Sequence, residues 1–209
     1  MHSWHTFKSL QTNKPQGADT CGFQLGFERG ELIRMNTQKM TRIALMTAVI
    51  CVLAPLSIPL SSLVPISLAT FAVMLAGVIL GAGDGTACTA LYLVLGAIGV
   101  PVFAGYSSGI GALVGVTGGY LIGYLPLAFC SGWFAKKQSY QLKGMISGMV
   151  IGTAVLYTIG TIWFIVVTKM PLMGALGACV LPFLPGDALK IAAVCLIAPR
   201  LRTALKLAD

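Results

Sequence analysis

Two side chains can make charge-assisted hydrogen bonds inside an otherwise apolar stretch of this sequence. They are Asp187 and Lys190, in P-F-L-P-G-D-A-L-K (182–190). Three residues apart on a helix, they share a face. An acceptor and a donor held together suit a small polar ligand with both N–H and C=O or carboxylate groups. The same spacing also permits a self-neutralising ion pair that eases burial of the segment, and the residue types leave both readings open. Pro182, Pro185 and Gly186 interrupt the chain just before them. Proline removes a backbone donor and glycine permits unusual dihedrals. The other polar candidates are Thr117 and Tyr120 in G-V-T-G-G-Y, and Tyr106, Ser107 and Ser108 upstream. A tyrosine near a membrane interface serves equally well as an aromatic anchor. Asp84, in G-A-G-D-G, reads as a turn residue bonded to its own backbone.

The inventory narrows the chemistry. The only histidines are His2 and His5, and no Glu follows Glu31. Past the polar head there is no H-E-x-x-H, no Ser/His pair and no Glu/His cluster, so no catalytic or metal site is expected. Six cysteines occur with no C-x-x-C spacing. Five have apolar surroundings, four of them in the apolar segments and Cys179 just before the last, where a free Cys behaves as a small hydrophobe. No G-x-x-x-x-G-K-[ST] is present, so the chain has no loop to cradle a nucleotide's phosphates.

The elements that must position Asp187 and Lys190 are apolar. Of 209 residues, 56 % are hydrophobic and 10 % charged, with a mean hydropathy of +0.87. A soluble domain carries about 25 % charged residues. The formal charge of +8 sits at the edges of the apolar segments. Asp84 is the only charge between Ile43 and Ala135, and only Lys169, Asp187 and Lys190 lie between Gly144 and Pro199. That distribution belongs to a polytopic membrane protein, and no nucleic-acid partner is expected.

Six apolar segments are expected at about 40–60, 66–80, 86–100, 109–134, 144–168 and 182–198. The second and third, of roughly 15 residues, are short for a span of about 20. Short or interrupted helices near midplane point to a binding site in transport proteins. Lys39, Arg42, Lys136, Lys137, Lys143, Arg200, Arg202 and Lys206 fall on one side of the six segments, and only Lys169 on the other. The positive-inside rule therefore places both termini in the cytoplasm and the connections 58–65, 101–108 and 169–181 outside. Glycines recur every four residues at 111, 115, 119 and 123, at 144, 148 and 152, and at 77, 81 and 85. This step keeps small residues on one helix face, where backbones approach closely. Ala44 and Ala48 form a similar pair that could face either the bundle or a partner. Residues 1–34 lack the apolar run of a signal peptide and read as a dispensable polar extension, with the membrane domain at 35–209.

Four stretches carry a resemblance: V-P-I-S-L-A-T-F-A-V-M-L-A-G (64–77), G-A-I-G-V-P-V-F-A-G (96–105), G-V-T-G-G-Y-L-I-G-Y (115–124) and L-P-F-L-P-G-D-A-L-K (181–190). In order and spacing over about 35–209, the chain resembles the BioY family, the biotin-specific substrate-binding subunits (S components) of energy-coupling-factor transporters. The resemblance implies an all-α polytopic membrane protein with six transmembrane helices, the S-component fold, and no cofactor. It implies a complex with a transmembrane coupling subunit and two cytoplasmic ATPase subunits in the bacterial cytoplasmic membrane. Asp187 and Lys190 look like biotin ligands. Ala44 and Ala48 match the A-x-x-x-A pattern that contacts the coupling subunit, and about 57–64 looks like a lid. Family members often have Gln where Ala69 stands and Pro where Val116 stands. Biotin brings a ureido ring with two N–H donors and one carbonyl, a thioether ring and an anionic chain. Asp187 could accept from the ureido N–H groups, while Lys190 could donate to the ureido oxygen or to the carboxylate. Phe71, Phe103, Tyr106, Tyr120 and Trp163 are the expected cover for the bicyclic body, with Thr117 beside them. Another vitamin on the same scaffold, or a membrane protein without a ligand, is the alternative.

Overall fold

Long apolar runs punctuated by Gly and Pro form helices joined by tight connections. The computed structural model describes residues 37–58, 66–180 and 182–204. Contacts divide the chain into Met1–Met40 and Thr41–Asp209. Within the first unit the described residues are 37–40, which are helical; the polar extension expected at 1–34 lies outside the described residues.

The helices are α1 (37–53), α2 (Ala69–Leu80), α3 (Ala82–Ala97), α4 (Ile110–Val114), α5 (Gly118–Lys137), α6 (Leu142–Thr168), α7 (Leu172–Cys179) and α8 (Leu184–Ala204), with a 3-10 turn at Ala104–Tyr106. The strand structure among the described residues is a two-residue antiparallel ladder, β1 (Ser57–Ile58) with β2 (Ile66–Ser67), which places Ser57 opposite Ser67. The fold is all-α. Its helices of 12 residues or more correspond one to one with the six apolar segments.

Three expectations change. Segment four is not one helix. It breaks into α4 and α5 around Gly115–Thr117. The chain folds back so tightly there that a Cβ on Gly118 would lie 1.7 Å from the Leu113 carbonyl oxygen. Asp84 is not in a turn. The turn shrinks to Gly81 (φ +86°), α3 starts at Ala82, and the carboxylate sits in its first turn, beside the positive end of the helix dipole. The connection 169–181 is not plain loop, because it contains α7.

Helix α6 alone among the described helices is both long and apolar enough to cross a membrane by length and composition. Helix α2, with 12 residues, extends roughly 18 Å at 1.5 Å per residue, well short of a bilayer core of about 30 Å. The outer surface is apolar, with Val94, Ile98, Ile162, Val166, Leu189 and Leu196 exposed. Large apolar side chains exposed in this way suit contact with lipid.

Helix α5 makes its largest interface with α6. A Cβ on Gly119 would fall 2.2 Å from the Trp163 Cβ, and one on Gly123 would fall 2.7 Å from Leu156 Cδ1. On the α6 side, Gly148 meets Phe134 and Gly152 meets Leu127. Gly111 has nothing within 4 Å of where its Cβ would be. The break before α5 takes it out of the stripe, because a four-residue step keeps one face only within a continuous helix.

Candidate functional site

The starts of α2, α5 and α8 and the later part of α3 meet at one end of the bundle. Between them lies a cavity of about 190 Å³. Its apolar walls include Ala69, Phe103, Leu121, Leu156 and Phe183. Tyr92 packs edge-on against Phe103, with ring centroids 5.6 Å apart. Ser107, which is exposed, brings one wall to the surface.

Helix α8 begins at Leu184, so Pro185 and Gly186 fall in its first turn, where a missing N–H costs no helical bond. Asp187 follows in the same turn, and Lys190 stands one turn further on the same face. Both are buried, at 5 % and 9 % relative exposure, so each charge needs partners. Lys190 Nζ donates to Asp187 Oδ1 at 3.1 Å, to Thr70 Oγ1 at 2.7 Å and to the Ser67 carbonyl oxygen at 2.9 Å. An ammonium has three donors, and all three are engaged. The Tyr157 hydroxyl, from α6, donates to Asp187 Oδ2. Ser67 is itself fixed: its hydroxyl donates to the Ala54 carbonyl at 2.7 Å and accepts from the Ala69 N–H at 2.9 Å. The network thus ties α8, α6 and the start of α2 together.

Two tyrosine hydroxyls on the cavity wall are buried without such satisfaction. Tyr92 Oη has no hydrogen-bond partner among the described residues. Tyr120 Oη lies beside Thr161 and Cys179 yet makes no hydrogen bond of ordinary geometry among the described residues. An unpaired buried hydroxyl costs about 1–3 kcal/mol. A ligand in the cavity can return that cost.

The model of the BioY family matches residues 20–207. The chain belongs to the BioY family. The probable biotin transporter BioY of Pyrococcus horikoshii is 36 % identical over 171 residues, covering 80 % of this chain and 98 % of the relative. The biotin transporter BioY of Thermotoga maritima is 36 % identical over 165 residues, covering 79 % and 96 %. Among solved structures, the S-component for biotin from an ECF-type ABC transporter superposes with a TM-score of 0.75 at 32 % identity, covering 81 % of this chain and 93 % of that one.

Within this BioY fold, six of the ten residues singled out for a ligand share the cavity: Asp187, Lys190, Tyr120, Thr117, Phe103 and Ser107. Tyr106 does not line it. This residue is 66 % exposed in the 3-10 turn, with φ +60°. Trp163 and Phe71 are also off the wall. The Trp163 indole N–H instead donates to the Gly115 carbonyl at 3.0 Å, bracing the break between α4 and α5. Ala69 is fully packed at the start of α2 and does line the cavity. Ala44 and Ala48 are exposed on α1. Of the lid expected at about 57–64, residues 59–64 lie outside the described residues. Sequence reading missed Thr70, Tyr92, Tyr124, Tyr157 and the Ser67 carbonyl. Thr70 lies within the quoted 64–77 stretch, but nothing in its spacing marks it as a partner for a residue 120 positions away.

Proposed function

We propose that this chain is the substrate-specific subunit of an ECF-type transporter, binding biotin and passing it across the cytoplasmic membrane. The observation that carries the reading is a buried Asp187–Lys190 pair on the wall of an otherwise apolar cavity, in a chain of the BioY family. The carboxylate of Asp187 keeps lone pairs for the ureido N–H groups after accepting from Tyr157 and Lys190. The buried hydroxyls of Tyr92 and Tyr120 on the cavity wall, unpartnered among the described residues, can serve ring heteroatoms. Phe103, Leu121, Leu156 and Phe183 supply apolar cover for a bicyclic body, as small-molecule sites usually do.

Orientation follows from charge. Lys136, Lys137 and Arg202 gather at the end of the bundle opposite the cavity. By the positive-inside rule that end faces the cytoplasm, with both termini, and the cavity opens outward. The chain carries no phosphate-cradling loop, so uptake against a gradient needs an energising partner, and the resemblance to energy-coupling-factor S components implies a coupling subunit and two ATPase subunits in that role. The exposed Ala44–Ala48 face of α1 offers close approach to the coupling subunit's helices. The polar segment 1–34 takes no part in binding.

The test is competition at the purified protein: unlabelled biotin should displace labelled biotin, and thiamine or riboflavin in thousandfold excess should not. Displacement by either vitamin would move the chain to another substrate.

A further inference from the structure

Biotin carries one full charge, its carboxylate, and among the described residues the cavity wall offers that charge no uncommitted cation. We infer that the site leaves the ligand's carboxylate outside its polar network and takes biotin and its neutral carboxyl-side derivatives alike. This rests on the biotin reading above and adds which end of the molecule is recognised.

Lys190 is the one cation on the cavity wall among the described residues. Its three N–H donors already go to Asp187, Thr70 and the Ser67 carbonyl. Its charge is balanced by Asp187 within 3.1 Å. A carboxylate brought against Lys190 would therefore have to displace a protein acceptor and sit beside a second carboxylate. Like charges that close, in a site of low dielectric, repel strongly.

Among the described residues no other cation is placed to help. The sequence has no Lys, Arg or His between Arg42 and Lys136, so the segment 59–65 brings none to the cavity. Arg202 is at the far end of the bundle, where it donates to the Ile79 carbonyl at 3.0 Å and stacks over the Tyr140 ring. Lys169, on the cavity side, ends α6 in a left-handed conformation, is exposed and is not on the wall. The exposed Ser107 marks where the cavity reaches the surface. A carboxylate directed there keeps its water, while the uncharged rings meet Asp187 and the tyrosine hydroxyls.

The experiment is equilibrium binding to the full chain in detergent of biotin, biotin primary amide and biotin methyl ester. A Lys169→Gln variant is measured alongside. A carboxylate held by a cation and then neutralised loses on the order of 10- to 150-fold in affinity. The expected result is that amide and ester bind within about threefold of biotin, in both wild type and variant. Biotin binding tightly while amide and ester bind more than about tenfold weaker overturns the inference and leaves the function standing. If that gap closes in Lys169→Gln, Lys169 is the carboxylate partner and the inference is likewise overturned. Failure of biotin itself to bind a folded wild type overturns the function, and this inference with it.

Discussion

Asp187 accepts from Lys190 on one oxygen and from Tyr157 on the other, so its carboxylate is oriented before any ligand arrives. Buried ion pairs are stable only when their remaining hydrogen-bonding capacity is met, and here Thr70 and the Ser67 carbonyl complete the shell of Lys190. Removing the Tyr157 donor leaves the carboxylate in place but less restrained. A hydrogen bond to a charged group contributes about 1.5–3 kcal/mol. Tyr157→Phe should therefore weaken biotin binding by about tenfold or more and lower the melting temperature in detergent; unchanged affinity would mean that Lys190 alone orients Asp187. Tyr92→Phe should behave differently. Its hydroxyl has no partner among the described residues, so the change should leave melting unchanged or raise it. Affinity should still fall by about 2- to 12-fold, matching a neutral hydrogen bond of about 0.5–1.5 kcal/mol to the ligand. A loss of melting temperature with no loss of affinity would make Tyr92 a packing residue. The charged pair was legible in the sequence because charge in an apolar run is costly and so stands out. Tyr92, Tyr124 and Tyr157 were not, because a single Tyr in an apolar helix looks the same whether it packs or binds. Their common cavity exists only once α3, α5 and α6 are assembled.

The helices were legible from apolar runs and their breaks, and the six long ones fall where hydropathy places them. What hydropathy cannot mark is a reversal inside an apolar run. The Gly115–Thr117 break and α7 are both made of residues that would also suit a continuous helix or a loop. The glycine spacing was the finer guide, and it divides by contact. Gly119 lies against Trp163, and Gly111 touches nothing within 4 Å of its absent Cβ. Overpacking an interface costs about 1–3 kcal/mol. Gly119→Val should therefore lower the melting temperature clearly, and Gly111→Ala should leave it within error. Equal effects would show that the α5–α6 contact does not limit stability. The same α5–α6 contact sets the site, since Tyr120, Tyr124, Leu156 and Tyr157 all come from these two helices.

At the scale of the molecule, polarity is arranged in reverse of a soluble protein. Apolar side chains such as Ile162 and Leu196 cover the outside, while Asp187 and Lys190 lie within. The cavity occupies one end of the bundle, and the cluster of Lys136, Lys137 and Arg202 occupies the other. The proposed coupling face at Ala44 and Ala48 contributes nothing to the cavity wall, so the proposal predicts that binding and coupling are separable. Ala44→Trp should leave biotin affinity within about twofold and abolish copurification with the coupling subunit; lost biotin binding would make that face part of the chain's own packing. Deleting residues 1–34 should leave binding intact, and its loss would make the segment part of the binding unit. Biotin binding by the Asp187–Lys190 cavity is tested by equilibrium binding of labelled biotin to protein purified from biotin-free cells, with Asp187→Asn alongside. Loss of one charge-assisted hydrogen bond predicts tight one-site binding by the wild type and about 10- to 150-fold weaker binding by the variant. Equal affinity in a folded variant would contradict the placement of the site, and no binding by the wild type would contradict the function itself.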